Sequence, residues 1–431
     1  MALFLVFPLA NAFALVSIEL NSGVEKQISL NLTSTSLSAD LVKKTNYLEK
    51  FIKSDLSLTK NFSLISTKQP DYSANITVEQ PLSIKNGLKI RLQIHQGFST
   101  LANNDKEVTT IGDRNFLFSG QDIRPLGHRL ADFLYTTILG RKSFFTTKIA
   151  FIRADYQKIK LIRDKNLYFN RLYTLEISDA DGQNIRKILQ SYSPILTPRF
   201  SPDGKKIAYV SLGNHQASIH LLDLRTAKDR LLTDYPGING APSWNPDGKR
   251  LAIVLSMNGV AKIYEINLQD PSIHPQKITP FGNYSVETEP VYSLNGKYLY
   301  YTSNASGTPQ IYQYDLKEKS SKRITFCGRY NTTAVPSRDP NLIIFLHHSK
   351  NGFNIYWQDL RSQACHPLIE ERNCQSPGLS PDESMIIFAI NYGSKGHLEI
   401  RSLDNRIKRP FPVTEPINGE FSDPDWSKFL T

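Results

Sequence analysis

The stretch RFSPDGKKIAYVS, Arg199 to Ser211, returns from Ser243 as SWNPDGKRLAIVLS and from Val291 as VYSLNGKYLYYTSN. Each copy is two strand-like halves hinged on a tight turn, too short to bury its own apolar face. Aligned on that turn, Asp203, Asp247, Asn295, Asp339 and Asp382 are equivalent, at intervals of 44, 48, 44 and 43 residues. Such a period marks a repeat architecture, in which neighbouring units bury one another. Four residues after each turn residue comes an apolar triplet: Ile207-Ala208-Tyr209, Leu251-Ala252-Ile253, Leu299-Tyr300-Tyr301, Ile343-Ile344-Phe345 and Ile386-Ile387-Phe388. Twelve residues past the start of each triplet another strand begins, at Ile219, Ile263, Ile311, Ile355 and Leu398. A fourth short strand follows, as in the segments ending at Thr279 and Thr325. A sixth triplet, Ile149-Ala150-Phe151, has no turn before it and reaches its next strand, at Leu172, only after 23 residues, an insertion of 11.

Four strands per period, six times, predict an all-β six-bladed β-propeller in the C-terminal part of the chain. The ends support closure. The first copy lacks an inner strand, and the last residues, DPDWSKFL from Asp423, match GAPSWNPDG from Gly240 but have nothing after them. The C-terminal strand is therefore expected to pair into the first blade and leave no open edge. The repeated Asp is read as turn chemistry, its side chain bonding the backbone two residues on while Gly supplies positive φ. It is not read as a ring of calcium ligands.

Upstream, the repeat is absent. GLKIRLQIH alternates Leu88, Ile90, Leu92 and Ile94 against polar residues, the pattern of a half-buried strand. IRPLGHRLADFLYTTILG places Ile123, Leu126, Leu130, Phe133, Leu134 and Ile138 on one helical stripe, with Gly140 as its C′ residue. An earlier helix through YLEKFIKSDL and a strand at FSLIS complete a small α/β domain preceding the propeller. The expected division is 1–14, 15–143 and 144–431. The first segment, MALFLVFPLANAFA, is an uncharged apolar run ending Ala12-Phe13-Ala14, the form of a signal peptide cleaved after Ala14, with Ala12 as the alternative. Export to the periplasm is the expectation.

In an exported protein the formal net charge of +11 points to anionic polymers or acidic protein faces rather than nucleic acid, and the Lys and Arg are scattered through turns. Cys327, Cys365 and Cys374 cannot all pair within the chain. Cys365 and Cys374, at opposite ends of a strand and the loop after it, are expected to be too far apart for a disulfide. No G-x-S-x-G, H-E-x-x-H, Walker loop or C-x-x-C occurs, and His347 and His348 are strand neighbours that face opposite sides. No cofactor and no metal are expected.

The arrangement resembles the TolB family of periplasmic propellers of the Tol-Pal envelope system. The resemblance rests on domain order, on RFSPDGKKIAYVS and YPGINGAPSWNPDGKRLAIVLS, on the loop SVETEPVY and on the terminal PDWSKFL. The chain departs from the family in carrying Ile238 where His is usual, in the altered turns RDPN and PDES, and in an enlarged first blade. Strand alternation puts the loops entering each inner strand on one face, around the channel mouth, where Thr197, Ala241, Glu289, Thr333, Ser376 and Asp423 are equivalent. Five of the six precede proline, which predicts extended backbone and a stiff rim. The resemblance implies a monomeric adaptor, peripheral to the membrane. It would bind the lipoprotein Pal through Asn239, Gly240, Ala241, Thr288, Glu289, Pro290 and Thr333, and TolA through the N-terminal segment Leu15, Val16, Ser17, Ile18, Glu19 and Leu20. The alternative from another class is a metal-dependent propeller hydrolase or lactonase.

Overall fold

The computed structural model describes residues 27–64, 70–81, 87–97, 108–157, 170–213, 216–257, 259–270, 274–282, 284–392, 395–411 and 419–429. The expected signal peptide, the Leu15 to Leu20 segment and the insertion after the first triplet lie outside them.

The N-terminal unit is a five-stranded sheet of β1 (Ile28–Ser36), β2 (Phe62–Leu64), β3 (Tyr72–Glu79), β4 (Leu88–Gly97) and β5 (Val108–Phe118), in the order β2-β1-β3-β4-β5. β1 runs parallel to both its neighbours, and the other pairs are antiparallel. Leu88, Ile90, Leu92 and Ile94 of β4 are all buried, as the alternation requires. Two helices, α1 (Val42–Ser57) and α2 (Arg124–Leu139), cover the sheet. α2 buries Leu126, Leu130, Ala131, Leu134 and Tyr135, and ends at Gly140 with φ 69°. That left-handed cap suits a residue without Cβ.

Six four-stranded antiparallel sheets follow. Their inner strands are Gly419–Trp426, Ile195–Phe200, Asn239–Trp244, Glu287–Tyr292, Asn331–Pro336 and Cys374–Leu379, for blades one to six. The C-terminal strand pairs with Lys148–Gln157, Trp426 opposite Ile149, so the two ends of the repeat complete one blade. The Ser427 N–H donates to the Lys148 carbonyl and the Lys148 N–H to Ser427 Oγ, both at 2.9 Å.

The apolar triplets explain why one unit needs six. In every blade the outer two residues of the triplet face the preceding blade and the middle one faces the next. Leu251 and Ile253 pack with Ala208 and Val210 of blade two, while Ala252 packs with Leu299 and Tyr301 of blade four. Around the ring the same rule places Ile149 and Phe151 against Ile387 of blade six, and Ala150 against Ile207 and Tyr209 of blade two. All members of the six triplets are buried. The turns behave as read: the Lys205, Lys249 and Lys297 N–H groups donate to Oδ1 of Asp203, Asp247 and Asn295 at 3.1, 2.8 and 3.0 Å.

Cys327 and Cys365 form a disulfide, Cα atoms 6.3 Å apart, that links the connection leaving blade four to the outer strand of blade five. Cys374 is free and buried, so Cys365 and Cys374 stay unpaired with one another, as strand geometry demands.

The α/β unit docks on blade one through a buried ionic network. Arg124 pairs with Asp179, Nε to Oδ2 at 2.7 Å, and with Asp181, the first ending the third strand of the blade and the second on the turn after it. His128 Nδ1 lies 2.7 Å from Asp55 of α1, and its Nε2 lies 3.4 Å from Asp179. Lys148 also pairs with Asp179, and Arg409 donates to the carbonyls of Ala180 and Asp181. Trp426 stacks edge-on against Phe144 in the same interface.

Candidate functional site

The inner strands surround a channel of about 1140 Å³. Thr197, Ala241, Glu289, Thr333 and Ser376 line it, together with Thr288 and Pro290. These residues are not loop ends leading into the inner strands, as expected from sequence, but stand inside the strands. Nor are the pre-proline residues extended. Thr197, Ala241, Glu289, Thr333, Ser376 and Asp423 all have positive φ, between 45° and 53°.

Registers give the reason. Thr288 faces Thr302 and Val291 faces Tyr300, so Glu289 and Pro290 together oppose Tyr301 alone. The same slip recurs in each blade, at Thr197-Pro198, Ala241-Pro242, Thr333-Ala334, Ser376-Pro377 and Asp423-Pro424. Each is a β-bulge, whose extra residue leaves an N–H outside the ladder; proline, which has none, fits the second position without loss. Ala334 in the same geometry shows that proline is permitted there rather than required. Left-handed φ is costly for any residue with a Cβ, most of all for β-branched threonine. Bonds between neighbouring bulges hold it in place. Glu289 accepts from the Thr333 N–H at 2.9 Å, the Thr333 hydroxyl at 2.7 Å and the Thr302 hydroxyl at 2.8 Å. Ser376 Oγ likewise donates to Asp423 at 3.1 Å.

Two of the residues proposed from sequence have other work. The Glu289 carboxylate, expected to await a partner's donor, is already spent on joining blades four and five. Asn239, expected as a contact residue, is 1% exposed; its amide donates to the Tyr235 carbonyl and its Oδ1 accepts from the Tyr235 N–H. It anchors the loop before the strand. The first residue of the next three inner strands does the same: Glu287, Asn331 and Cys374 are fully buried and bond Ser285 Oγ, the Cys327 carbonyl and the Glu371 carbonyl respectively. Glu287 is further held by Lys262, whose Nζ lies 2.9 Å from it and also donates to the carbonyls of Gly282 and Ser285. Gly240 is half-buried and does not line the channel.

What sequence reasoning missed is the apolar character of the rim. Among the described residues of the propeller, nine large hydrophobic side chains are exposed. Eight of them, Tyr192, Leu212, Ile238, Met257, Tyr284, Val286, Phe326 and Tyr330, lie on connections at the end where the inner strands begin. Tyr284 is 76% exposed and Phe326 57%. Ile238, Tyr284, Val286, Phe326 and Tyr330 lie on the loops pinned by Asn239, Glu287 and Asn331. A signal existed, since each of three anchored loops carries an aromatic or β-branched residue next to the anchor, but exposure is not written in composition.

Asp55, His128 and Asp181 are the group of metal-capable side chains that stand close together among the described residues. Their atoms are already engaged with one another and with Arg124, which makes them part of the domain interface. His347 Nδ1 is 2.8 Å from Asn331 Oδ1, and the His348 ring packs on Phe353. No helix among the described residues is long and apolar enough to cross a membrane.

A closed six-bladed propeller with an α/β unit at one end of its ring and a rigid, apolar rim at the other is a scaffold for docking. The model of the TolB beta propeller domain matches residues 135–430. The Tol-Pal system protein TolB of Bordetella pertussis is 32% identical over 314 residues, covering 72% of this chain and 67% of the relative. The protein of that name from Xanthomonas campestris is 34% identical over 311 residues, with the same coverage. The crystal structure of TolB from Acinetobacter baumannii superposes with a TM-score of 0.74 at 27% identity, covering 94% of this chain and 98% of that one. The chain belongs to the TolB family. It is a component of the Tol-Pal envelope system and not an enzyme, which sets aside the hydrolase alternative.

Proposed function

We propose that the chain is a periplasmic adaptor that seats Pal on the channel rim and engages TolA through the segment Leu15 to Leu20. The observation that carries the reading is the segregation of exposed apolar side chains to one end of the propeller. Apolar patches of this kind mark protein contact surfaces, and loops already fixed by Asn239, Glu287 and Asn331 lose little entropy when a partner binds. Ala241, Thr288, Pro290 and Thr333 form the rigid wall below the rim, with Glu289 holding it. Tyr284, Ile238 and Tyr330 are the anchors, and Ile238 supplies apolar contact where the family usually has His.

Calorimetry with purified Pal tests this. Tyr284→Ala and Tyr330→Ala are each expected to weaken binding by about 1–3 kcal/mol with an unchanged melting temperature. Full affinity in the double variant would move the site off the rim. Removing residues 15–22 is expected to abolish TolA binding while sparing Pal, and retained TolA binding by a folded truncation would refute that half of the proposal.

A further inference from the structure

The end of the channel away from the rim has a different chemistry. Arg199, Arg338 and Lys428 line it there, beside two carboxylates, Asp425 and Glu383. Both carboxylates are already occupied by groups that carry no charge. Asp425 Oδ2 accepts from the Phe200 N–H at 2.7 Å, and Glu383 accepts from the Ser337 hydroxyl at 2.9 Å and the Arg338 N–H at 2.6 Å. The cations are less well served. Arg199 Nη1 donates to the Pro198 carbonyl at 3.0 Å and reaches Asp425 only at 3.9 Å. The Arg338 guanidinium bonds the Pro381 carbonyl and lies over the Phe429 ring. The Lys428 side chain forms no hydrogen bond or ion pair among the described residues, although it is solvent-accessible and lines the channel.

Three cations against two committed carboxylates leave this end with an excess of positive charge and of N–H donors. Its walls are Phe200, Trp244, Trp426 and Phe429, an apolar surround that strengthens charge attraction. An unpaired ammonium facing an enclosed channel is the arrangement that an incoming anion completes.

We propose that the base of the channel is a binding site for a small multivalent oxyanion, bearing phosphate or carboxylate groups, held by Arg199, Arg338 and Lys428. The site is separate from the rim and open to solvent through the channel. Trp244, whose Nε1 donates to the Arg199 carbonyl at 3.0 Å, is a built-in reporter.

The test is a titration of the full chain with pyrophosphate in one arm and citrate in the other, sodium chloride holding ionic strength constant. Tryptophan fluorescence and melting temperature are followed together. The expected result is a saturable change in both, weakened about tenfold or more in Lys428→Met, the loss of one charge-assisted contact. Arg338→Gln is the second variant and is expected to weaken binding similarly, whereas Tyr284→Ala at the rim should leave it unchanged. The arm that saturates at the lower concentration identifies phosphate or carboxylate as the preferred group. Failure of both anions to act beyond matched chloride, or equal affinity in folded Lys428→Met, overturns the proposal.

Discussion

The interface between the α/β unit and blade one should make the stability of the chain depend on pH through His128. Burial alone would lower the pKa of this imidazole. Hydrogen bonds to Asp179 and Asp55, with their charges, outweigh it and raise the pKa from 6.5 to about 9. Arg124, Lys148 and Asp181 are the other charged groups beside it, and Asp179 is in turn held well below the usual carboxylate range: its own burial would raise it, but His128, Lys148 and Arg124 overcome that. Because the folded-state pKa exceeds the unfolded one, the native state holds the proton more tightly. The contribution is therefore complete below about pH 6.5 and is lost as pH rises through about 9. At about 1.4 kcal/mol per pH unit the difference is on the order of 3 kcal/mol. Urea denaturation near pH 6 and near pH 9.5 measures it, with His128→Gln as reference. The variant should be less stable than the parent by about 3 kcal/mol at the lower pH and level with it at the higher. Parallel pH dependences in the two proteins would refute the reasoning.

Three further outcomes are expected. Deleting residues 424–431 removes Trp426, 5% exposed, from the first blade. It should cost about 3–5 kcal/mol for that side chain alone, read as a lowered denaturation midpoint; an unchanged midpoint would contradict the closure. Glu289→Ala strips Thr333 and Thr302 of a shared acceptor, so the melt should shift by about 1–3 kcal/mol of stability even without a partner. That differs from a pure contact residue, whose loss would show only in partner affinity. Ala241→Gly relieves a left-handed backbone, φ 46°, and should stabilise the chain by about 0.5–1 kcal/mol in the same assay, a loss of stability counting against the bulge.

Local pattern carried the propeller a long way. The period, the triplets and the unmatched fragments at either end are one-dimensional facts, and each blade repeats them, so blade number and closure could be read before any contact was known. The α/β unit was legible for the same reason, through the alternation of β4 and the stripe of α2. The rule that a residue before proline is extended failed at Ala241 and Glu289, because a bulge overrides it and a bulge is a property of two strands rather than one. Asn239 looked like a surface asparagine, since nothing local says that its side chain turns inward to hold Tyr235. The Cys327–Cys365 bridge depends on how two blades meet, and the network of Arg124, His128 and Asp179 on how the ring meets the α/β unit, each between residues dozens of positions apart. For Leu15 to Leu20 the reading remains one of sequence.

The seam in blade one also sets a schedule. The strand that completes it is the last strand of the ring in chain order, and its bonds to Lys148 join residues 279 positions apart. Until that strand emerges, Lys148–Gln157 has a bare edge and Phe144 lacks the ring of Trp426. The long loop to be closed makes this contact slow to form relative to pairings within a blade. A nascent chain can therefore hold five four-stranded blades and still be an open arc, and a chain that stops short of Gly419 has five blades and no ring.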